Sequence, residues 1–543
     1  MGRVYDFDLF LYIYLSVLPI YLSMKLNSTL VLICYSAAAL AQNQVPVISN
    51  VSVVAPWNTG QVLIDYDVAD NENDNVDIKI AFSADGENYV VSSGTVTGDV
   101  GFPIVPGTGK HIIWNYDTIS NVTNYSIRLI ADDRQVPNIQ DIVDQVDSVL
   151  LRNDLEFVAS GIRHYSANPT HLEAVKDTIE QRFQDAGLNV YRQDFQRAGY
   201  TGQNIIGKKA GLGSEANTFI VDAHFDTVSD APGADDNGSG VVGFLQALRV
   251  LAPYNFEKTI KFIGFDFEES VGVAGTYGSL VYTQSQIPSW EVIEGVANYE
   301  MIGYYTNEVN SQQIPFGFAF LFPDQYAEVI ADSSRGNFLI NAGDTESSAF
   351  TAAFDSLSGI YVPALKITSI VLPNNGLISA DFRRSDHANF WDLDVPALLL
   401  TDGANFRNLD YHTPNDTVGK LNFTFMSNIV KGTVATIATL AGLQHSSYFD
   451  AGNIIASVPE SNFVCDVQVF PNPVKNKLTV KAGDCFQQGF NLTVVDVQGK
   501  LVKSEKVAAN SQNEILFSTI PSGNYFVVME DGGKRSVKKV VVE

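Results

Sequence analysis

The spacing of apolar positions divides the chain into regions. Residues 44–135 carry short alternating runs, "QVLIDYDV", "DIKIAFS" and "YSIRLIAD", punctuated by Gly, Pro and Asn. Alternation with period two turns one face of each strand inward, so this region predicts a β-sandwich. After residue 135 the period lengthens. Leu172, Val175, Ile179, Phe183 and Ala186 recur at helical spacing, and Gly187 follows as a stop. Apolar runs then alternate with amphipathic ones: "NTFIVDAH", "GSGVVGFLQALRVL", "TIKFIGFDFEE", "GVANYEM", "VPALLLTD". Buried strands separated by helices predict an α/β domain with a mostly parallel mixed sheet flanked by helices. From Val464 to Glu543 short strands and turns return, which predicts a second, C-terminal β-sandwich. The expected divisions are 42–135, 136–448, a linker at 449–463, and 464–543.

The first 41 residues are set apart as a targeting segment. Met24-Lys25 gives a basic start, Leu30 to Leu40 an apolar stretch, and Ala39-Leu40-Ala41 an A-x-A cleavage site. The residues before Met24 fit no signal pattern, and a true start at Met24 accounts for them. A membrane anchor over residues 9–41 is the alternative, but Asn27, Ser28 and Thr29 interrupt its apolar run. Export is therefore the expectation. Once Cys34 leaves with the signal, Cys465 and Cys485 remain as an even pair able to form one disulfide. The central region has no cysteine, which excludes thiol catalysis and thiolate-bound metal there. A formal net charge of −27 offers nothing to neutralise phosphates, so no nucleic-acid partner is expected.

Chemistry gathers at the ends of the predicted strands. His224 closes "FIVDAH", Glu268 and Glu269 close "FIGFDFEE", and Glu300 closes "GVANYE". His412 follows "ALLLTDGANFRNLDY", and Asp235-Asp236 lie in the acidic loop after His224. Ligand sites in open α/β sheets lie outside the carboxyl ends of strands, so these distant segments converge on one edge. Imidazole and carboxylate donors without thiolate suit Zn²⁺ and other divalent ions. Three carboxylates with two imidazoles exceed what one catalytic zinc takes, which favours two metals and a bridging carboxylate. Glu268 remains as a base.

Five motifs in order, "HFDT…PGADDNGSG", "FEESVGVAGTYGS", "ANYEMIGYY", "SDHANFW" and "YHTPNDT", resemble the co-catalytic-zinc aminopeptidase family. That family includes bacterial leucyl aminopeptidases and glutamate carboxypeptidase relatives. The resemblance implies the zinc exopeptidase fold over about residues 136–445 and a cofactor of two Zn²⁺ per chain. It implies that Asp236 bridges, that His224 and Glu300 complete one metal, and that Glu269 and His412 complete the other. Many members carry aspartate where Glu300 stands. Glu268 is then the general base, Asp226 the residue that orients His224, and the peptide after Asp236 is cis. Asp386 and His387 of "SDHANFW" either line the substrate site or form a structural pair, and the solvated-loop reading is preferred for Arg383 and Arg384. The other histidines, His111, His164, His171 and His445, are read as structural or surface residues.

The flanking regions carry resemblances of their own. Residues 44–135 resemble a fibronectin type III or immunoglobulin-like module. "VFPNPVKNKLTV", "VVDVQGKLV", "IPSGNYFVV" and the terminal "KKVVV" resemble the C-terminal sorting domain of type IX secretion substrates. That implies handling by outer-membrane secretion machinery and a secreted or cell-surface location in a bacterium with an outer membrane. The expected function is a secreted di-zinc aminopeptidase acting on peptides. The alternatives are another exopeptidase or glutaminyl-cyclase-like member, or a non-catalytic metal-stabilised adhesin.

Overall fold

The computed structural model describes residues 43–543 apart from 56–60, 84–85, 87, 92–94, 116–123, 270–274, 456–466, 482–485, 487–488, 497–499, 509–511 and 532–533. The targeting segment and the Cys465–Cys485 pair lie outside the described residues.

The N-terminal strands build two facing sheets. One runs Val47–Val54, Gln61–Ala69, Gly107–Asn115, Val96–Gly98. Along Gln61–Ala69, Val62, Ile64, Tyr66 and Val68 are buried and the residues between them are not, as the alternation predicts. The opposing sheet pairs Val76–Ser83 with Asn124–Asp132, and its last strand comes from far along the chain. Ser446–Ile455 lies antiparallel to Asn124–Asp132, with Ser446 opposite Asp132 and Ile455 opposite Asn124. Arg128 secures it, with Nε 2.7 Å from Asp450 Oδ1 and its guanidinium on the rings of Tyr89 and Tyr448.

This corrects the expected boundaries, because residues 449–455 are a strand of the first sandwich rather than linker. The reason is physical. Among the described residues of the strand, only Ala451 packs on the sandwich core, so it shows little apolar alternation and is specified by pairing with a distant partner. A chain ending at Gln444 is expected to expose the Asn124–Asp132 edge. Limited proteolysis should then cut within residues 47–132 before the α/β domain; unchanged resistance would contradict the pairing.

The α/β sheet orders its strands Ile367–Leu372, Leu339–Asp344, Ala397–Thr401, Val292–Tyr299, Ser214–His224, Lys258–Phe265, Tyr200–Lys209, Asn189–Arg197. The central four, 397–401, 292–299, 214–224 and 258–265, are mutually parallel. The helix Pro169–Asp185 buries Leu172, Val175, Ile179 and Phe183. Asn168 caps its start by accepting from the His171 N–H, and Gly187 leaves it at φ +73°. On one face of the sheet the helices Gly240–Leu251 and Phe423–Leu440 are nearly wholly buried. Each large apolar side chain so buried contributes roughly 1.5–3 kcal/mol. That packing immobilises the strands beneath the loops at their carboxyl ends. The short strand Val90–Val91 joins the sheet at Ser214, the end of its strand opposite His224.

The C-terminal region packs a three-stranded sheet and a four-stranded sheet around Leu478, Val480, Phe490, Val494, Val527 and Val540. The final strand, Lys534–Val542, pairs with Gly523–Asp531.

Candidate metal centre

His224 is the last residue of its strand, Glu300 follows Tyr299, and Glu268-Glu269 come just after Phe265. Parallel register sets His224 beside Phe265 and Asp222 beside Asn298, so these strand ends finish level. The predicted ligands meet there. His224 Nε2 lies 3.2 Å from Glu300 Oε2 and 3.5 Å from Asp236 Oδ1. His412 Nε2 lies 3.0 Å from Asp236 Oδ2 and 3.1 Å from Glu269 Oε1. Two clusters of donor atoms result, each within 4.8 Å, and Asp236 belongs to both. Glu268 stands beside them, with Oε2 3.9 Å from His224 Nε2.

The loop carrying Asp236 is held from several sides. Gly233 has φ +60°, and a Cβ there would meet the Asp236 carbonyl oxygen at 2.2 Å, so only glycine fits. The Asp236–Asn237 peptide is cis, as the motif implied. Asp416 accepts the backbone N–H groups of Asp235 and Asp236. Asn237 donates to the Tyr299 carbonyl at 2.8 Å and accepts from the Met301 N–H, tying the loop to the Glu300 segment. Asp235, which sequence left without a role, accepts from the Gly303 N–H and from Asn408 Nδ2. Adjacent aspartates thus do different work. Asp236 faces the histidines and Asp235 fastens the loop.

Asp226 differs in part from its expected role. Its oxygens accept the N–H groups of Glu268 and Glu269, each at 3.1 Å, fixing the segment that carries both acids. Its Oδ1 also lies 3.4 Å from His224 Nδ1, an ion-pair distance without hydrogen-bond geometry. Asp386 and His387 are both fully buried, and neither lines the adjoining pocket. His387 is spent on structure: Nε2 is 2.8 Å from the Phe382 carbonyl, Nδ1 is 3.1 Å from Asn298 Oδ1, and its ring stands edge-on to Trp391. Burial pushes its pKa down to about 3, so it stays neutral.

Arg383 bonds Asp392, whereas Arg384 reaches the pocket rim, where its Nη groups donate to Asn405 and Tyr411. Two further residues support the site. Ser385 Oγ donates to Glu300 Oε2 at 2.8 Å. Arg163, wholly buried, donates to the carbonyls of Val158, Phe225, Pro232 and Gly233 beneath the loop. Ser385 and Asp416 sit inside quoted motifs, which could have flagged them. Arg163 sits in none.

The electrostatics call for positive charge. Burial, with Glu269 and Glu300 alongside, pushes Glu268 well above the usual carboxylate range against the pull of His224. Burial and Asp236 raise Glu269 to about 7. Burial would lower His412, but Asp236 and Glu269 outweigh it and hold it up to about 10. Both ring nitrogens of His224 are buried with no hydrogen-bond partner among the described residues. Buried polar atoms are rarely left so. An electron-pair acceptor between His224, Asp236 and Glu300 would satisfy the imidazole, and the donor set suits zinc. The residues fit the group.

Beside Glu300 opens a pocket of about 840 Å³ that includes space open to solvent, lined by apolar Phe318, Phe338, Ile370 and Phe382 and by polar Arg384.

Residues 204–437 match peptidase family M28, and residues 468–543 match the secretion system C-terminal sorting domain. The uncharacterized protein YfbL of Escherichia coli (strain K12) is 28% identical over 300 residues, covering 53% of this chain and 86% of that protein. An aminopeptidase from Aneurinibacillus sp. strain AM-1 aligns in structure at 17% identity and TM-score 0.43, covering 56% of this chain and 97% of its own. The glutaminyl cyclase of Porphyromonas gingivalis aligns at 14% identity and TM-score 0.40, covering 55% and 99%. With strand-end His and carboxylate donors at its core, the 204–437 domain belongs to peptidase family M28, and the chain is an exported zinc metallopeptidase bearing a C-terminal sorting domain.

Proposed function

We propose that the chain binds two zinc ions and removes N-terminal residues from peptides. One observation carries this reading: the two oxygens of Asp236 face different histidines, so one carboxylate serves two donor clusters. His224, Asp236 and Glu300 would hold one zinc; Asp236, Glu269 and His412 would hold the other. Bound zinc supplies Lewis acidity, which polarises a carbonyl and acidifies water.

The chain's own groups do the rest. Glu268, with Oε2 3.9 Å from His224 Nε2, takes a proton from the attacking water and returns it to the leaving amine. Ser385 keeps Glu300 in place, and Asp226 keeps Glu268 and Glu269 in place. The pocket receives the side chain of the substrate's first residue, and its apolar lining favours an apolar one. Because the pocket begins at Glu300, that residue's α-amino group lies among carboxylates. A free ammonium offers those carboxylates three N–H donors, whereas an acylated nitrogen offers only one.

Chelation is expected to abolish hydrolysis of aminoacyl-p-nitroanilides, with Zn²⁺ restoring it, and N-acetylated peptides should resist cleavage. Undiminished cleavage of acetylated peptides would refute the aminopeptidase reading. Cyclisation of N-terminal glutamine with release of ammonia, and no peptide hydrolysis, would replace it with cyclase action.

A further inference from the structure

We infer that Arg384 is a positioning residue for His412, acting through Tyr411; the inference rests on the two-metal reading above. His412 is the ligand least fixed by its surroundings. Its side chain is 35% exposed, against 0% for His224 and 5% for Asp236. It lies on a loop well beyond the end of the Ala397–Thr401 strand and adopts φ +59°, a left-handed conformation unfavourable for a residue with a Cβ. Core packing therefore does not set the direction of its ring.

A neighbouring side chain does. The Tyr411 ring stacks on the His412 imidazole with centroids 3.8 Å apart and planes 17° apart. The Tyr411 hydroxyl accepts from Arg384 Nη2 at 2.9 Å, and Arg384 Nη1 donates to Asn405 Oδ1 at 2.8 Å. The Asp381 carboxylate stands 3.8 Å from Nη1. A planar guanidinium held at both ends is a stiff brace, which a flexible ammonium would not be. The next residue, Ser385, donates to Glu300 in the other donor cluster. Consecutive residues thus steady one ligand in each cluster: Ser385 directly, Arg384 through a tyrosine.

Partners that orient a metal-binding imidazole typically change metal affinity about 10–100-fold when removed. The test is zinc titration of full-length, metal-stripped chain against a competing chromophoric chelator. Wild type is compared with Arg384→Met, Tyr411→Phe, the double variant, and Arg383→Met as a control that keeps the brace. Arg384→Met is expected to weaken one zinc step about 10–100-fold and spare the other. Tyr411→Phe should match it, and the double variant should be no weaker than either single change, because both break one link.

Wild-type affinities in Arg384→Met, equal weakening of both steps, additive losses in the double variant, or the same loss in Arg383→Met would each overturn the inference. Wild type taking up two zinc ions with Arg384→Met unaffected defeats this inference alone. A wild type that takes up only one zinc defeats the two-metal reading as well.

Discussion

Glu268→Gln is expected to lower kcat by about 10²–10⁴-fold while leaving the zinc content unchanged. The substitution keeps size and shape but removes the proton acceptor. It changes none of the ligand atoms proposed for zinc, which belong to His224, Asp236, Glu269, Glu300 and His412. The Glu268 backbone N–H stays on Asp226, so the loop should hold. Retained zinc with lost turnover separates a base from a ligand. Loss of zinc together with turnover would make Glu268 a ligand instead, and near-normal kcat would remove it from the reaction. Metal analysis alongside steady-state kinetics on one preparation reads both.

The second large effect is on stability. Arg163→Met should destabilise the α/β domain by about 3–5 kcal/mol, the range for breaking a buried charged partner and stranding its acceptors. The guanidinium donates to four backbone carbonyls, and its own N–H donates to Thr227 Oγ1. Methionine fills much of the volume but leaves the Phe225 and Pro232 carbonyls without that donor, while Val158 keeps His171 Nε2 and Gly233 keeps the Gly238 N–H. Burial lowers the Arg163 pKa to about 10, and nearby Asp416 and Asp236 oppose that fall, so it is charged at neutral pH. It therefore also offsets acids beneath the centre. A lower denaturant midpoint at unchanged slope is expected. A shift below about 1 kcal/mol would show that water or relaxation satisfies the carbonyls, and the loop would then need another explanation.

These two residues mark how far the amino-acid order reaches. Glu268 was legible because "FIGFDFEE" reads as a buried strand ending on paired acids, and strand ends are where such sheets place their chemistry. The same logic located His224 and Glu300, and the motif "YHTPNDT" located His412. Arg163 was not legible. Its partners are backbone carbonyls, which leave no mark of residue type, and it lies about 70 positions from the loop it supports. Asp235 and Asp236 look alike in sequence, and only the backbone between Gly233 and Gly240 sends one to the histidines and the other to Gly303 and Asn408.

His387 shows that a histidine in a motif can be spent on packing, one of the two readings its motif leaves open. In the fold, strong periodicity revealed the Pro169–Asp185 helix and the inner strands. Ser446–Ile455 escaped because an edge strand with so little buried face is defined by its partner rather than by its own pattern.

Zinc per chain is the most direct measurement of all. Inductively coupled plasma mass spectrometry on the purified wild type and on Asp236→Ala, with protein quantified by amino-acid analysis, reads it without reference to any substrate. Sharing of Asp236 between the two donor clusters leads to an expected two zinc ions in wild type and fewer than one in Asp236→Ala. One zinc in the wild type, or two retained without Asp236, would contradict the shared-carboxylate centre.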